Sequence, residues 1–376
     1  MKTSLRLCHG IALMGFVMLI LTTTNVFAQK VVRLPLERPA LMSENSEKAT
    51  LLCVARAGHR ILAAGERGII VFSDDDGKSW IQANVPVSVT LTNIRFATPK
   101  KGWAVGHSGV VLYSENGGES WVLQLEGHQA AALMMEAAKA TAKAFPADMR
   151  AQQAVANAEL FVQDGPDKPF LDIYMVDARK GFIVGAYNMI FYTEDGGESW
   201  QPWQDHVENP EGLHLYSILP MGGYIFMAGE RGLFLRSEDQ GQSFHKMPTP
   251  YEGTYFGLLA VANNRLLIFG LKGNVFRSDD YGNSWQKIDA GVSVALTAGA
   301  ELKDGTCVLT TQYGDVLISH DQANTFSKLT LEGEVFPLMG IVNAYNRNLV
   351  VVGTRGVKVI PVSSELASAT KKDAGE

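Results

Sequence analysis

The sequence predicts an all-β fold, a seven-bladed β-propeller with a helical hairpin inserted between blades 2 and 3. Three observations carry this reading. An acidic box recurs six times, a glycine turn recurs seven times, and one interval between boxes is longer than the rest by roughly 38 residues whose composition favours helix.

The elements are justified in chain order. Residues 1–28 have the three parts of a secretory signal: Lys2 and Arg6, the apolar stretch 11–21, and Val26-Phe27-Ala28 at the cleavage position. The apolar stretch is shorter than the roughly 20 residues a bilayer span requires. Cys8 precedes it, where a lipid-attachment cysteine would not lie. The mature chain is therefore expected to be exported, most simply to a periplasm, with no membrane span of its own. Cleavage leaves 31 basic against 39 acidic residues and moves the formal charge from -6 to -8. That balance argues against a general nucleic-acid binder. Two cysteines remain, Cys53 and Cys307, each in an apolar strand-like run. Two separate buried thiols is the simpler reading, and spacing alone leaves pairing open.

The propeller is expected over 29–363. Its boxes are SDDDGKSW (73–80), SENGGESW (114–121), TEDGGESW (193–200), SEDQGQSF (237–244), SDDYGNSW (278–285) and SHDQANTF (319–326). Successive starts lie 41, 79, 44, 41 and 41 residues apart. The turns are GERG (65–68), GHSG (106–109), GAYN (185–188), GERG (229–232), GLKG (270–273), TQYG (311–314) and GTRG (353–356). Short apolar runs separated by such turns are strands and hairpins, and four strands per unit of about 41 residues suit a propeller blade. The seventh unit stops after its third strand, so VVRLPL (31–36) is expected to supply the fourth and close the ring.

Residues 128–167 are rich in Ala, Leu, Met, Glu, Lys and Gln, and Pro146 divides them into two helices. The hairpin is expected to act as a lid or docking arm, or to pack on a blade edge through Leu133, Met134, Leu160 and Phe161. Residues 364–376 read as a flexible polar tail.

Within the boxes, the recurring position is held by Asp75, Asn116, Asp195, Asp239, Asp280 and Asp321. A short Asx side chain there can bond backbone amides two residues on, and Asn serves as well as Asp. Asp74 and Asp76 then read as exposed decoration. A calcium loop is not supported, because starting from Asp74 places Val85 at the twelfth position, where a bidentate Glu is needed. No metal or other cofactor is expected.

These boxes resemble the Asp-box, or BNR, repeat of sialidases and other propellers. With GWAVGHSGVVLYS before DGGESW-type boxes, the chain resembles the photosystem II stability/assembly factor family and its relatives in non-photosynthetic bacteria. The resemblance runs over nearly the whole mature chain except the helical insertion. It implies a non-enzymatic propeller that assists a membrane protein complex, photosystem II or, in non-photosynthetic relatives, a membrane transport system.

The alternative is a sialidase-like glycoside hydrolase, since sialidases share the box. Their chemistry, as that resemblance would imply, needs an arginine trio, a tyrosine nucleophile with its glutamate, and an aspartate acid. The Arg-Ile-Pro start motif is absent here. Asp172 is the best lone acid, and it reads more simply as a strand-start residue, because one carboxylate does not make a glycosidase.

Four-stranded antiparallel blades put the boxes on one face of the disc and the glycine turns on the other. The third positions of the turns are Arg67, Ser108, Tyr187, Arg231, Lys272, Tyr313 and Arg355, with His107 one position earlier in its own turn. Four cations on one face of an acidic protein make a local positive surface, and Arg and Tyr suit binding centres. The partner-binding set is therefore Arg67, His107, Tyr187, Arg231, Lys272, Tyr313 and Arg355. Against it stands the reading that these are solvated turn residues, with Glu66 and Glu230 partly neutralising their neighbours. The expected partner is an acidic or aromatic segment of a membrane protein complex, bound by a monomer.

Overall fold

The computed structural model describes residues 33–346 and 348–361. The expected signal (1–28), the start of the propeller (29–32), its last two residues (362–363) and the polar tail (364–376) lie outside the described residues.

Among the described residues, seven antiparallel sheets follow one another in sequence order, six of four strands and the seventh of three. Blade 1 is typical, with strands Leu51–Ala57, Arg60–Gly65, Ile70–Ser73 and Ile81–Gln82. Apolar side chains on both faces of the inner strands interlock with the neighbouring blades, which is why these runs read as continuous rather than alternating. The first strand of each blade packs on the first strand of the next, and Leu338–Asn343 of blade 7 packs on Leu51–Ala57 of blade 1. The ring is thereby closed.

Closure differs from the sequence expectation. Pro35–Glu37 is a short 3-10 turn, and the segment runs beside the connection from blade 1 to blade 2, with the Ser88 amide donating to the Pro35 carbonyl and Ala40 to Val85. Pro35 has no amide hydrogen to give a sheet ladder. Val31 and Val32 lie outside the described residues. The seam is held instead by apolar packing of Leu51, Ile61 and Val71 against Val350 and Val352, and by the Tyr345 amide donating to Asp76 Oδ1 at 2.8 Å.

Each blade also repeats a bulge at the start of its first strand, where the pairing with the second strand slips by one residue. There the backbone of the turn meets the chain entering the blade. A Cβ on Gly65 would stand 2.1 Å from the Thr50 carbonyl oxygen, so only glycine fits that approach.

The insertion forms helices α1 (Gly127–Ala144) and α2 (Met149–Asp164), broken around Pro146 as the sequence indicates. Glu126 caps α1 by accepting from the His128 and Gln129 amides, and Asp148 caps α2 through the Arg150 amide. Ala130, Leu133, Met134 and Phe161 pack against blades 2 and 3. Leu160 does not take the place expected of it, since it remains 56% exposed. Cys53 and Cys307 are buried and unpaired, and burial pushes both thiols up to about 12.

Candidate functional site

The six boxes share one geometry. Asp75 Oδ1 accepts from the Lys78 and Ser79 amides and from Ser73 Oγ, while Oδ2 accepts from Ser79 Oγ at 2.6 Å. Those bonds lower the Asp75 carboxyl to about 2, with the Ser79 hydroxyl and amide contributing most. Asn116 makes the same bracket without charge, accepting from the Ser120 amide and donating to Ser120 Oγ at 2.8 Å. Asp195, Asp239 and Asp280 repeat it with Ser199, Ser243 and Ser284, and Asp321 with Thr325. The carboxylates are occupied by the turn itself. Among the described residues no group of three metal-ligating side chains comes together.

Asp74 is exposed, as the sequence suggests, and Asp76 partly so, but neither is mere decoration. Asp74 forms a two-pronged pair with Arg60 at 2.7 and 2.8 Å, and Arg60 reaches on to Glu119 of the next box. Asp76 accepts the blade 7 bond at the ring seam. Both join blades.

Asp172 is 1% exposed. Its Oδ1 accepts from Asn93 Nδ2 (2.6 Å) and its own strand's Ile173 amide (2.8 Å), and Oδ2 accepts from the Ile218 amide (2.9 Å), with Arg95 at 3.8 Å. Burial raises its pKa, and the Arg95 charge with the Ile218 and Ile173 amides holds it back. It staples the first strands of blades 2, 3 and 4. A carboxylate enclosed in this way offers no acid to a glycosidic oxygen.

On the opposite face the seven turns emerge together with the connections between blades. At five of them the third residue is left-handed without being glycine: Arg67 (φ 55°), Ser108 (58°), Tyr187 (53°), Arg231 (53°) and Lys272 (59°). In the last two turns glycine takes that conformation at the following position, Gly314 and Gly356, after Tyr313 and Arg355. Arg67, His107, Tyr187, Arg231, Lys272, Tyr313 and Arg355 are all exposed.

Their charges are not equally free. Arg231 pairs with Glu211 at 2.7 Å and Arg355 with Glu334 at 2.5 Å. Glu66 and Glu230, expected to neutralise their neighbours, turn inward instead and accept from the Thr50 and His214 amides. Among the described residues, Arg67 and Lys272 form no ion pair. Tyr187 is drawn away from this set. Its ring meets Phe161 of α2 edge-on at 6.3 Å and His214 at 4.6 Å, with Lys168 Nζ 5.7 Å above it.

The hairpin enters at a blade connection and so lies on the turn face, with α1 touching the turn of blade 2 and the outer strand of blade 3. It encloses a cavity of about 770 Å³ against the Tyr187 turn and the loop Asn209–Gly212. Sequence reasoning did not find this cleft. Its signals were the acidic run DGPDK after the hairpin and the loop breakers NPEG at 209–212.

A family model described as photosynthesis system II assembly factor YCF48 matches residues 152–348, just over half of the chain, from inside α2 to blade 7. The photosystem II assembly lipoprotein Ycf48 of Synechococcus sp. (strain CC9902) is 35% identical over 77 residues, which are 20% of this chain and 23% of that relative's length. A solved structure of YCF48 bound to D1 peptide aligns with a TM-score of 0.61 at 15% identity, covering 84% of this chain and 94% of that one. A glycoside hydrolase of the GH74 class from Niastella koreensis aligns with a TM-score of 0.59 at 12% identity, covering 82% and 52%. Two proteins of different activity align equally well, so structural likeness at this identity carries the fold alone. Among the described residues no helix is long and apolar enough to cross a membrane.

Proposed function

This chain belongs to the photosynthesis system II assembly factor YCF48 family, and from that membership we propose that it is a non-enzymatic, exported propeller that holds a segment of a membrane protein complex during assembly. The binding surface is the turn face, with Arg67, His107, Arg231, Lys272, Tyr313 and Arg355 presented by the blades and Tyr187 at the edge of the hairpin.

One observation supports this surface above the rest. Four exposed cations, Arg67, Arg231, Lys272 and Arg355, are presented together by the turns of a chain whose formal charge is negative. Arg67 and Lys272, with no acidic partner of their own among the described residues, are the residues best placed to take a carboxylate from the partner. Arg231 and Arg355 exchange Glu211 and Glu334 for it. Occupation of Asp172 by four neighbours favours binding over hydrolysis.

The solved relative in complex with D1 peptide makes a peptide segment the natural form of ligand. In a photosynthetic source the complex is photosystem II; in another, it is an exported or membrane-embedded transport assembly. Immobilised protein incubated with detergent-solubilised membranes of the source organism should retain one membrane complex. The R67E/K272E variant should retain less than a tenth as much. Equal retention would exclude the turn face, and sialoside or other glycoside cleavage by the purified protein would exclude the binding role.

A further inference from the structure

The cleft beneath the hairpin has a chemistry opposite to that of the turns. Its rim carries four carboxylates, Asp164, Asp167, Asp205 and Glu211, against one ammonium, Lys168. Lys168 is already shared between Asp164 (2.8 Å) and Asp167 (2.5 Å), and Glu211 meets Arg231 from outside the cleft. The remaining charge is negative, and Asp164, Asp167 and Glu211 stay 47–62% exposed. The floor is apolar, built from Leu160, Phe161 and the Tyr187 ring, with helix alanines leaving the room. Leu160 gains little from its place in the hairpin, being more than half exposed. In the wall, Gln204 Nε2 is buried without any acceptor. A donor enclosed without a partner costs on the order of 1–3 kcal/mol, and a rotation of the Gln204 side chain would bring it to a ligand carbonyl.

We infer that this cleft binds a basic, extended peptide segment of a partner protein. A Lys or Arg side chain would meet Asp205 and Glu211, an apolar neighbour would rest on Leu160 and Phe161, and a backbone carbonyl would accept from Gln204. The volume lies within the range of sites that enclose a ligand of drug or short-peptide size. Opposite charges at the two sites let one partner engage both, an acidic stretch on the turns and a basic stretch under the hairpin. The cleft shares Tyr187 and the ion pair of Glu211 with Arg231 with the turn face, but Arg67 and Lys272, the free cations of the turns, do not line it, and the two sites can be tested apart.

Fluorescence anisotropy with two labelled, capped pentapeptides tests this, Lys-Leu-Lys-Phe-Lys and the uncharged Gln-Leu-Gln-Phe-Gln. The mature protein should bind the lysine peptide at least tenfold more tightly than the glutamine peptide. D205N/E211Q should weaken it about fivefold or more, on the order expected for two partly exposed ion pairs, and L160S should weaken it with no change in salt dependence. R67E/K272E should leave it unchanged, so that failure of the turn face and failure of the cleft are separable. Equal binding of the two peptides, absence of binding, or wild-type affinity in D205N/E211Q would overturn the assignment.

Discussion

Asp75 and Asn116 do the same work with different charge, and the comparison decides what the box needs. Both accept from amides and meet the hydroxyl four residues on. Asp75→Asn should therefore cost under about 1 kcal/mol and Asp75→Ala about 1–2 kcal/mol, measured by urea unfolding, because only alanine leaves the turn amides without an acceptor. Acid response follows from the same bonds. Asp75 is lowered from the ordinary value near 3.8 to about 2 by the Ser79 hydroxyl and amide. Asp239 also falls to about 2: its burial acts to raise the carboxyl, and the Ser243 hydroxyl and amide outweigh it. Depressed carboxylates stabilise the fold above their unfolded values and lose that contribution as pH falls from about 4 towards 2. Asp172 has the opposite sign, since its raised pKa favours the fold when protonated. D75N/D239N should thus flatten the loss of stability between pH 4 and 2, and a steeper loss would contradict the bracket. Residue types at the recurring position were readable because the repeat displays six instances side by side. The roles of Asp74, Asp76 and Asp172 were not, because their partners Arg60, Tyr345, Asn93 and Ile218 lie in other strands or blades and no local spacing announces them.

At the scale of elements, the box is also a spacer between blades. A Cβ on Gly118 would stand 2.1 Å from Leu62 Cδ2 of the preceding blade, at φ 86°. Gly118→Ala should destabilise by about 2 kcal/mol or more, combining backbone strain with overpacking, with thermal unfolding as the check. The hairpin was legible from composition and Pro146, and its place on the turn face from strand counting. Its cleft was not legible, because four carboxylates from three separate segments meet there only after folding. Phe161 anchors it to the blades. Phe161→Ala should speed amide exchange in α1 and α2 while the blade amides keep their protection, since the hairpin opens as a unit of its own; slowed or unchanged exchange would show that the anchor lies elsewhere.

For the whole molecule, the period of about 41 residues sets the number of blades and the two faces. Closure is not legible in it, because a missing strand suggests a donated one, whereas side-chain packing between blades 1 and 7 closes the ring. Asp76→Ala removes the acceptor of the Tyr345 amide and should cost about 1 kcal/mol, with exchange rising first in blades 1 and 7. The central claim is that the partner sits on the turn face and not on the box face. A photo-crosslinking residue placed at Lys272 on the turns, or at Lys78 in a box, tests it most directly when each protein is irradiated with solubilised source membranes. Crosslinks to a single membrane complex from position 272, and none from 78, are the predicted result; crosslinks from 78 without any from 272 would contradict it.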